Sequence, residues 1–515
     1  MPHFAIAAGH DLTAAACEDV LRAGGSAVDA AIAGALVACV AEPVLAGLLG
    51  GGFLMVRPAQ GRAELLDCFV QTPKRKLPEA ELDFRVIQAD FGETTQEFHI
   101  GAGAIATPGL APGLAEAHAR FGHMPLRDLV APAVRAAREG VTVTEFQASL
   151  GRIIAPILQA TPGSRALMCG EDGEPLGPGA VSRNPDFADV LEVFGHEGPR
   201  FVAEGEVAAG LLALAGEGGH LSPDDLKSYH PEWRRPVEVA RGRARIAVNP
   251  PPALGGVLVA FALELIGPAA GAADLARAFE ATTRARLEAG LRDDPEGGPE
   301  GHIMRLLSPG LIARYRAELQ GRKAATRGTT QISVVDGAGM GVALTISNGE
   351  GNGSIIPGTG IMPNNMLGEE DLVPGGWHSW TPDTRLSSMM TPMAVSWPDT
   401  KGRDALAMLG SGGSNRIRTA LAQVLVNLLD RGMALGDAVE APRLHVEAGD
   451  PPAVDFELPG LAEADRAAIL AAFPEARGWA ERSMFYGGVH AVTRDGRGNV
   501  RAAGDPRRGG VGITG

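Results

Sequence analysis

The stretch Arg327-Gly328-Thr329-Thr330-Gln331-Ile332-Ser333-Val334-Val335-Asp336 contains the residues that decide the fold and chemistry of this chain. A glycine precedes a β-branched hydroxyl residue, which begins a run of strand-forming residues. If the peptide bond between Gly328 and Thr329 is cut, Thr329 carries both a hydroxyl nucleophile and an α-amine base. Gly328 has no side chain to obstruct attack on its own carbonyl. The alternative is an ordinary strand start, and taken alone the pattern favours that interpretation.

An α-amine at Thr329 would suit the role of general base. Its ordinary pKa of about 7.7–8.0 lies near the operating pH of most enzymes. A hydroxyl at its own pKa is a weak nucleophile and needs such a base. The stretch therefore predicts a self-cleaving amidohydrolase or transferase, provided that the rest of the chain supplies the supporting groups.

The composition indicates a large globular protein. The chain has 515 residues, more than one core usually serves, and its net charge is −15. A chain this acidic, without a basic block, is a poor candidate for binding nucleic acid or an anionic membrane. Glycine contributes 70 residues, scattered through a chain that is 45% hydrophobic, which predicts many tight turns rather than disorder.

Metal, disulfide and membrane roles have little support in the sequence. No CxxC or Cys/His ligand spacing occurs among the four cysteines, which are Cys17, Cys39, Cys68 and Cys169. We therefore expect no metal and no organic cofactor. The first five residues do not begin a secretory signal, and the apolar run 30–40 is too short for a membrane span. The expected location is the cytoplasm.

Hydrophobic periodicity predicts a helix-rich first part and a strand-rich last part. The predicted helices are 13–22, 27–41, 110–121, 126–139, 185–196, 205–216, 258–267 and 416–429. The predicted strands are 63–70, 329–335, 340–347, 405–409, 489–494 and 500–503, with another fed by the glycine loop 50–52. We expect 71–106 and 349–376 to be irregular, and 290–328 to be an exposed connector. The two parts are expected to interleave in one α/β unit.

A second candidate element is Gly410-Ser411-Gly412-Gly413-Ser414-Asn415-Arg416, which lies between a predicted strand and a predicted helix. Successive backbone N–H groups at a helix N-terminus form an anion site that suits an acyl oxyanion. The alternative is an ordinary helix start capped by Ser414 or Asn415, and the pattern does not decide between the two.

Two further motifs could recognise charged groups of a substrate. Arg385-Leu386-Ser387-Ser388-Met389 places two hydroxyls beside an arginine, which suits a carboxylate but also fits a turn before a strand. The motif 364–371 ends in Glu369-Glu370-Asp371, which could bind an ammonium group or form a solvated turn. On pattern alone the structural alternatives are favoured for both.

Taken together and in this order, these motifs resemble the γ-glutamyltransferase (γ-glutamyltranspeptidase) family of N-terminal-nucleophile hydrolases. The resemblance covers nearly the whole chain, from Gly25-Ser26-Ala27-Val28-Asp29 and Glu42-Pro43 to Ala441-Pro442-Arg443 and Gly504-Asp505-Pro506-Arg507. It implies an α+β fold, a four-layer αββα sandwich, and autocleavage between Gly328 and Thr329. The heavy portion 1–328 and the light portion 329–515 would then stay together as a heterodimer.

The resemblance also implies roles for individual residues. Thr329 would attack the amide, Ser347 would support its amine, and the oxyanion loop would contain Gly412 and Gly413, with Ser414 possible. The substrate would be held by Glu369 at its amine and by Ser387 and Ser388 at its carboxylate. For the arginine that pairs with this carboxylate, Arg75 is the first candidate and Arg85 the second.

Several departures from the family pattern concern the substrate rather than the nucleophile. Met366 stands where many members have Gln, and Gln331 replaces a common His. The loop 349–354 is glycine-rich and short, and the segment between Glu369 and Arg385 is too short for the usual lid. Access of water would favour hydrolysis over transfer.

Three functions remain open from the sequence. The first is a γ-glutamyl hydrolase/transferase acting on amides such as glutathione, with water, an amino acid or a peptide as acceptor. The second is an acylase of the glutaryl or cephalosporin type. The third, of a different class, is a non-catalytic relative that acts as a binding protein.

Overall fold

The computed structural model describes residues 3–90, 95–216, 218–288, 305–318, 329–369, 372, 376–398, 401–447 and 451–515. Gly328, Glu370, Asp371 and most of the predicted connector lie outside these residues. Within the described ranges, no helix is both long and apolar enough to cross a membrane.

The strands, in chain order, are β1 (Ala5–Ala8), β2 (Gly51–Arg57), β3 (Glu64–Cys68), β4 (Arg85–Asp90), β5 (Thr95–Ile100), β6 (Val141–Thr142), β7 (Val181–Ser182), β8 (Glu232–Arg234), β9 (Val237–Arg241), β10 (Ala244–Val248), β11 (Thr330–Val335), β12 (Gly341–Ser347), β13 (Met393–Pro398), β14 (Asp404–Gly412), β15 (Leu444–Glu447), β16 (Ala453–Glu457), β17 (Arg477–Trp479), β18 (Gly488–Arg494), β19 (Val500–Ala503) and β20 (Val511–Thr514).

The helices of the described ranges are α1 (Asp11–Arg22), α2 (Ala27–Ala41), α3 (Leu110–Phe121), α4 (Leu126–Glu139), α5 (Glu145–Ile153), α6 (Ala155–Leu158), α7 (Pro162–Met168), α8 (Pro185–Glu197), α9 (Arg200–Glu204), α10 (Glu206–Ala215), α11 (Pro223–Ser228), α12 (Gly255–Leu265), α13 (Ala272–Glu288), α14 (Pro309–Glu318), α15 (Arg416–Leu429), α16 (Leu435–Glu440) and α17 (Glu463–Ala472).

Two large antiparallel sheets form the centre of the fold. The first has the order β20-β1-β11-β12-β2-β3-β8, and the second has the order β19-β18-β14-β13-β10-β9. Strands from before and after residue 329 take part in both sheets. β11 and β12 lie in the middle of the first sheet. Thr329 directly precedes β11, so it is held at the open end of the paired β11–β12 hairpin.

The alternation of side chains along the first sheet separates two hydrophobic cores. Ile6, Leu54 and Ile332 face outward onto the layer that contains α1, α2 and α3, on which α4 packs. Their neighbours Ala7 and Phe53 face inward, towards the second sheet. The second sheet carries α12 and α15 on its other side. These contacts give the order helices, sheet, sheet, helices, and the mixed α+β class that the sequence predicts is confirmed.

Asp336 connects the central hairpin to the outer helix layer. One of its carboxylate oxygens accepts from Met340 N at 2.9 Å and so closes the β11–β12 turn. The other accepts from Ala27 N at 3.0 Å, at the start of α2. Ser26 caps the same helix through a capping box with Asp29. The start of α2 is therefore tied to the strand that follows Thr329.

Several elements differ from the sequence predictions. The segment 71–106 was predicted to be irregular, and this was wrong, because β4 and β5 form a hairpin there. The connector prediction was wrong for residues 309–318, where α14 lies. Short strands such as β1 and β15 to β17, and helices such as α13, were not predicted. The loop 349–376 contains a single 3-10 turn, Met366–Gly368, among its described residues.

Candidate functional site

A pocket lies beside the first residue of β11, where the two central sheets and the 387–390 segment meet. Its described lining residues are Phe69, Thr329, Ser347, Met366, Glu369, Leu372, Ser387, Ser388, Met389, Met390, Ser414 and Ile417. The pocket thus brings together Thr329, Ser347, Glu369 and the two adjacent serines, which are separated in sequence by up to 59 residues.

Thr329 is buried at this pocket, with 4% of its surface exposed. The β11–β12 register pairs Thr330 with Ile346, which brings Thr329 opposite Ser347. The Ser347 hydroxyl oxygen accepts a hydrogen bond from Gly349 N at 3.1 Å. A hydroxyl beside the amine of Thr329 would be the group that the family resemblance expects.

The glycine loop at the end of β14 packs directly against Thr329. A Cβ built on Gly412 would overlap the carbonyl oxygen of Thr329, so only glycine allows this approach. Gly413 has φ +118° and Ser414 has φ +46°, both in the left-handed region. This turn brings Ser414 into the lining of the pocket, and α15 starts two residues later. The loop therefore has the position that an oxyanion site needs.

Ser388 is the better anchored of the two adjacent serines. Its carbonyl oxygen accepts from Leu254 N at 2.9 Å and from Gly255 N at 3.1 Å. Its hydroxyl oxygen accepts from Met390 N at 3.1 Å, so the hydroxyl proton can be donated to a bound molecule. Ser387 is half-buried beside it.

The pocket walls are otherwise apolar. Six of the lining side chains carry no charge and no hydrogen-bonding N–H or O–H group, namely Phe69, Met366, Leu372, Met389, Met390 and Ile417. Phe69 stacks on Phe53 with a centroid distance of 5.5 Å, which fixes its ring. Among the described lining residues, Glu369 is the one charged side chain. Most of this wall could not be identified from the sequence, because apolar pocket residues look like core residues.

The two arginines that were proposed to bind a substrate carboxylate, Arg75 and Arg85, lie outside the pocket. Arg75 is exposed and donates from Nη2 to the carbonyl of Gly219 at 2.8 Å. Arg85 is exposed and pairs with Asp83 at 2.9 Å. Neither is among the lining residues of the pocket.

Arg385, next to the serine pair, is also directed away from the pocket. It is buried and donates from Nη1 to the carbonyl of Phe69 at 2.6 Å and from Nη2 to the carbonyl of His230 at 2.7 Å. It also contacts the Tyr229 hydroxyl. Arg385 therefore holds the backbone that presents Phe69.

Two buried ionisable residues lie behind Thr329 and were not singled out from the sequence. Glu42 accepts a hydrogen bond from the Thr330 hydroxyl at 2.8 Å. Arg508 donates from Nη1 to the carbonyl of Thr329 at 3.4 Å. Burial raises the pKa of Glu42 to about 7 and lowers the pKa of Arg508 to about 10. Glu42 had appeared only as part of a family motif, and Arg508 directly follows another.

The comparisons with known proteins agree with this geometry. The sequence model of the family described as Gamma-glutamyltranspeptidase matches residues 13–515. The acylase ACY 1 proenzyme of Pseudomonas sp. (strain SE83) is 32% identical over 468 residues, which cover 86% of this chain and 82% of that protein. The glutathione hydrolase proenzyme of Pseudomonas aeruginosa is 28% identical over 553 aligned positions, which cover 99% and 94%.

Among solved structures, a cephalosporin acylase from Bacillus halodurans superposes with a TM-score of 0.83. It is 23% identical, and the match covers 99% of this chain and 96% of that one, so it shows a shared fold. A gamma-glutamyltranspeptidase from Pseudomonas nitroreducens gives a TM-score of 0.51 at 26% identity, over 60% of this chain and 92% of that one.

Proposed function

Because this chain belongs to the gamma-glutamyltranspeptidase family, we propose that it is a self-processed N-terminal-threonine hydrolase with the specificity of an acylase. In this proposal the chain cuts itself between Gly328 and Thr329, and the two pieces remain together as a heterodimer. The mature enzyme removes an acyl group from an amide and transfers it to water.

The reaction follows from the groups around Thr329. The hydroxyl oxygen of Thr329 attacks the amide carbonyl carbon, and the α-amine takes the hydroxyl proton. The loop at Gly412 and Gly413 faces the position where the oxyanion develops. The amine passes the proton to the leaving nitrogen, and the C–N bond breaks to leave an ester on Thr329. Water then attacks this ester, and the acid is released with the free hydroxyl.

The observation that carries the acylase proposal is the lining of the pocket. Its six apolar side chains suit the methylene chain of an acyl group. A bare carboxylate at the end of that chain would be repelled by Glu369, which is the one charged side chain among the described lining residues. We therefore propose an acyl group without a free carboxylate, rather than a glutaryl group, as the preferred substrate class.

The second candidate is a γ-glutamyl amide such as glutathione. Glu369, Ser387 and Ser388 converge on the same pocket as Thr329, which supports binding of an ammonium group and a carboxylate together. A zwitterionic α-amino acid end is neutral overall, so it tolerates a site with one acidic residue better than glutaryl does. Transfer to an amino acid or peptide belongs to this candidate.

Four p-nitroanilides that differ only at the far end of the acyl chain separate the candidates. They are the γ-glutamyl, glutaryl, 4-aminobutyryl and pentanoyl compounds, compared by kcat/KM. The acylase proposal predicts that removal of the carboxylate does not lower the rate. A γ-glutamyl rate more than about 100-fold above both carboxylate-free compounds, equivalent to about 2.7 kcal/mol, would instead establish the second candidate.

Processing is tested by a denaturing gel of the purified protein. A 53.2 kDa chain cut after residue 328 of 515 gives pieces of about 34 and 19 kDa. Thr329→Ala should leave one full-length band and no turnover, because both steps use the same hydroxyl. Turnover by a soluble, folded Thr329→Ala protein would refute Thr329 as the nucleophile. A wild-type chain that stays uncut and inactive on all four amides would support the binding-protein alternative.

A further inference from the structure

The Thr329–Thr330 segment is held between two buried charged side chains that do not line the substrate pocket. Glu42 lies at the end of α2 and is 2% exposed, and Arg508 lies near the C-terminus and is 7% exposed. They come from opposite ends of the chain, 288 residues before Thr330 and 179 residues after Thr329. Burying an ionisable side chain is costly unless it is hydrogen-bonded, and each of these two side chains has a hydrogen-bond partner in this segment.

Glu42 is held by hydrogen bonds of its backbone and of its side chain in addition to its contact with Thr330. Its N–H donates to the carbonyl of Ala38 at 2.8 Å, and its own carbonyl accepts from Leu45 N and Ala46 N at 2.8 and 2.9 Å. One carboxylate oxygen accepts from the Thr13 hydroxyl at 3.3 Å, and the other accepts from the Thr330 hydroxyl at 2.8 Å.

Glycines leave room for both charged side chains. A Cβ built on Gly9 would lie 2.6 Å from a carboxylate oxygen of Glu42 and 2.8 Å from the Thr330 hydroxyl. A Cβ built on Gly488 would lie 2.6 Å from Cδ of Arg508. The neighbouring backbone is therefore shaped around these two contacts, and a larger residue at either glycine would displace them.

Arg508 connects Thr329 to the glycine loop and to a neighbouring turn. Nη1 donates to the carbonyl of Thr329 at 3.4 Å, and Nη2 donates to the carbonyl of Met484 at 3.3 Å. The guanidinium also lies against Gly412 and Gly413, since a Cβ on either would come within 3.2–3.3 Å of its nitrogens. One cation thus contacts both the nucleophile residue and the loop that would hold the oxyanion.

We infer that Glu42 and Arg508 are positioning residues that fix the Thr329–Thr330 backbone against the glycine loop. Glu42 holds Thr330 through its hydroxyl, and Arg508 holds the carbonyl of Thr329. The orientation of the Thr329 hydroxyl and amine follows, because both are attached to the Cα between these anchor points. The inference rests on the proposed function of Thr329 as the nucleophile.

The test uses Arg508→Met, Arg508→Lys and Thr330→Val in the full-length protein. Thr330→Val removes the hydrogen bond to Glu42, and Arg508→Met removes the guanidinium and its hydrogen bonds to the carbonyls of Thr329 and Met484; both variants keep a similar shape. We expect processing to slow and kcat to fall by about 10-fold or more, with KM changed less than about two-fold, because the misplaced group acts in the chemical step. Arg508→Lys should recover part of kcat.

Arg241→Met is the matched control. Arg241 is also a largely buried arginine, paired with Asp430 and donating to the carbonyl of Leu263 at 2.6 Å, away from the pocket. Its loss should lower stability but leave processing and kcat unchanged. Equal losses of kcat in Arg241→Met and Arg508→Met would show a general effect of destabilisation and would overturn the inference.

Hydrogen exchange of the β11 amides tests the positioning role of Glu42 and Arg508 independently of the proposed function of Thr329. Faster exchange at 330–335 in Arg508→Met and Thr330→Val, but not in Arg241→Met, supports the positioning role even if the wild-type chain proves inactive. Wild-type processing, kcat and exchange in both folded variants would refute it, while an active wild-type protein would leave the proposed function intact.

Discussion

The buried carboxyl of Glu42 makes stability depend on pH in a direction opposite to that of most carboxylates. Burial raises its pKa from 4.5 to about 7, because desolvation outweighs hydrogen bonds from Thr330 and Thr13 and the field of Arg508. Between pH 4.5 and about 7, Glu42 therefore keeps its proton in the native state but has lost it in the unfolded chain. Stability contributed by this group is present at low pH and is lost as pH rises.

The magnitude follows from the two pKa values. Proton linkage makes the native state about 2–3 kcal/mol less stable at pH 8 than at pH 5 through this residue alone. Glu42→Gln keeps the shape and an acceptor for Thr330 but cannot ionise. From pH 5 to pH 8, the free energy of unfolding of the protein that keeps Glu42 should therefore fall by about this amount relative to that of Glu42→Gln.

The assay is equilibrium urea denaturation at pH 5 and pH 8. Both proteins carry Thr329→Ala, so each remains one polypeptide and unfolding does not separate two pieces. Comparing the change with pH cancels any constant effect of the amide and all other titrations. Glu463→Gln, which removes a largely exposed carboxylate in α17, is the control and should follow the Thr329→Ala parent at both pH values.

Two outcomes would contradict a raised pKa of Glu42 in the native state. If Glu42→Gln and its parent change in parallel within about 0.5 kcal/mol, Glu42 titrates as an ordinary carboxyl. If the parent gains stability relative to the variant as pH rises, then Arg508 and the two threonines outweigh burial. The other titratable group facing Glu42 from its own helix is Cys39, whose pKa is raised above this pH range by burial.

Three further perturbations test other parts of the structure. Gly412→Ala should abolish processing, because its Cβ overlaps the Thr329 carbonyl, whereas Gly436→Ala, with nothing within 4 Å of the new Cβ, should be processed normally on a denaturing gel. Glu457→Gln should lower the free energy of unfolding by about 3 kcal/mol in urea, because it breaks a fully buried 2.6 Å pair with Arg507; a loss below 1 kcal/mol would contradict this. Asp336→Ala should cost about 1–3 kcal/mol by leaving Ala27 N and Met340 N without an acceptor, while kcat stays at the wild-type value.

Some helices were predictable to the residue because their ends carry local signals. α2 begins after Ser26, which forms a capping box, and its continuous apolar run ends before Glu42-Pro43. α4 ends at Gly140, whose φ of +99° favours glycine, and α15 follows the glycine loop at Asn415. In each case the information lies within a few residues of the boundary.

Other elements have no such local signal. β1 is Ala-Ile-Ala-Ala, which has little intrinsic strand preference, and it forms because β11 and β20 pair with it on both sides. The β4–β5 hairpin contains polar residues such as Gln88 and Glu97 that pair across it, and this pattern resembles a loop in sequence. Tertiary pairing decides these strands, so periodicity alone could not find them.

The candidate site divides in the same way. Thr329, Gly412 and the Ser387–Ser388 pair could be found because each belongs to a short motif with its own chemistry. Phe69, Met389 and Ile417 could not, since their role depends on three separate segments meeting at one pocket. Glu42 and Arg508 act through contacts with residues more than 170 positions away. A motif can single out Thr329 as a candidate nucleophile, but the wall of its pocket exists only in the folded protein. The candidate nucleophile could therefore be predicted from sequence, whereas the apolar residues that line its pocket could not.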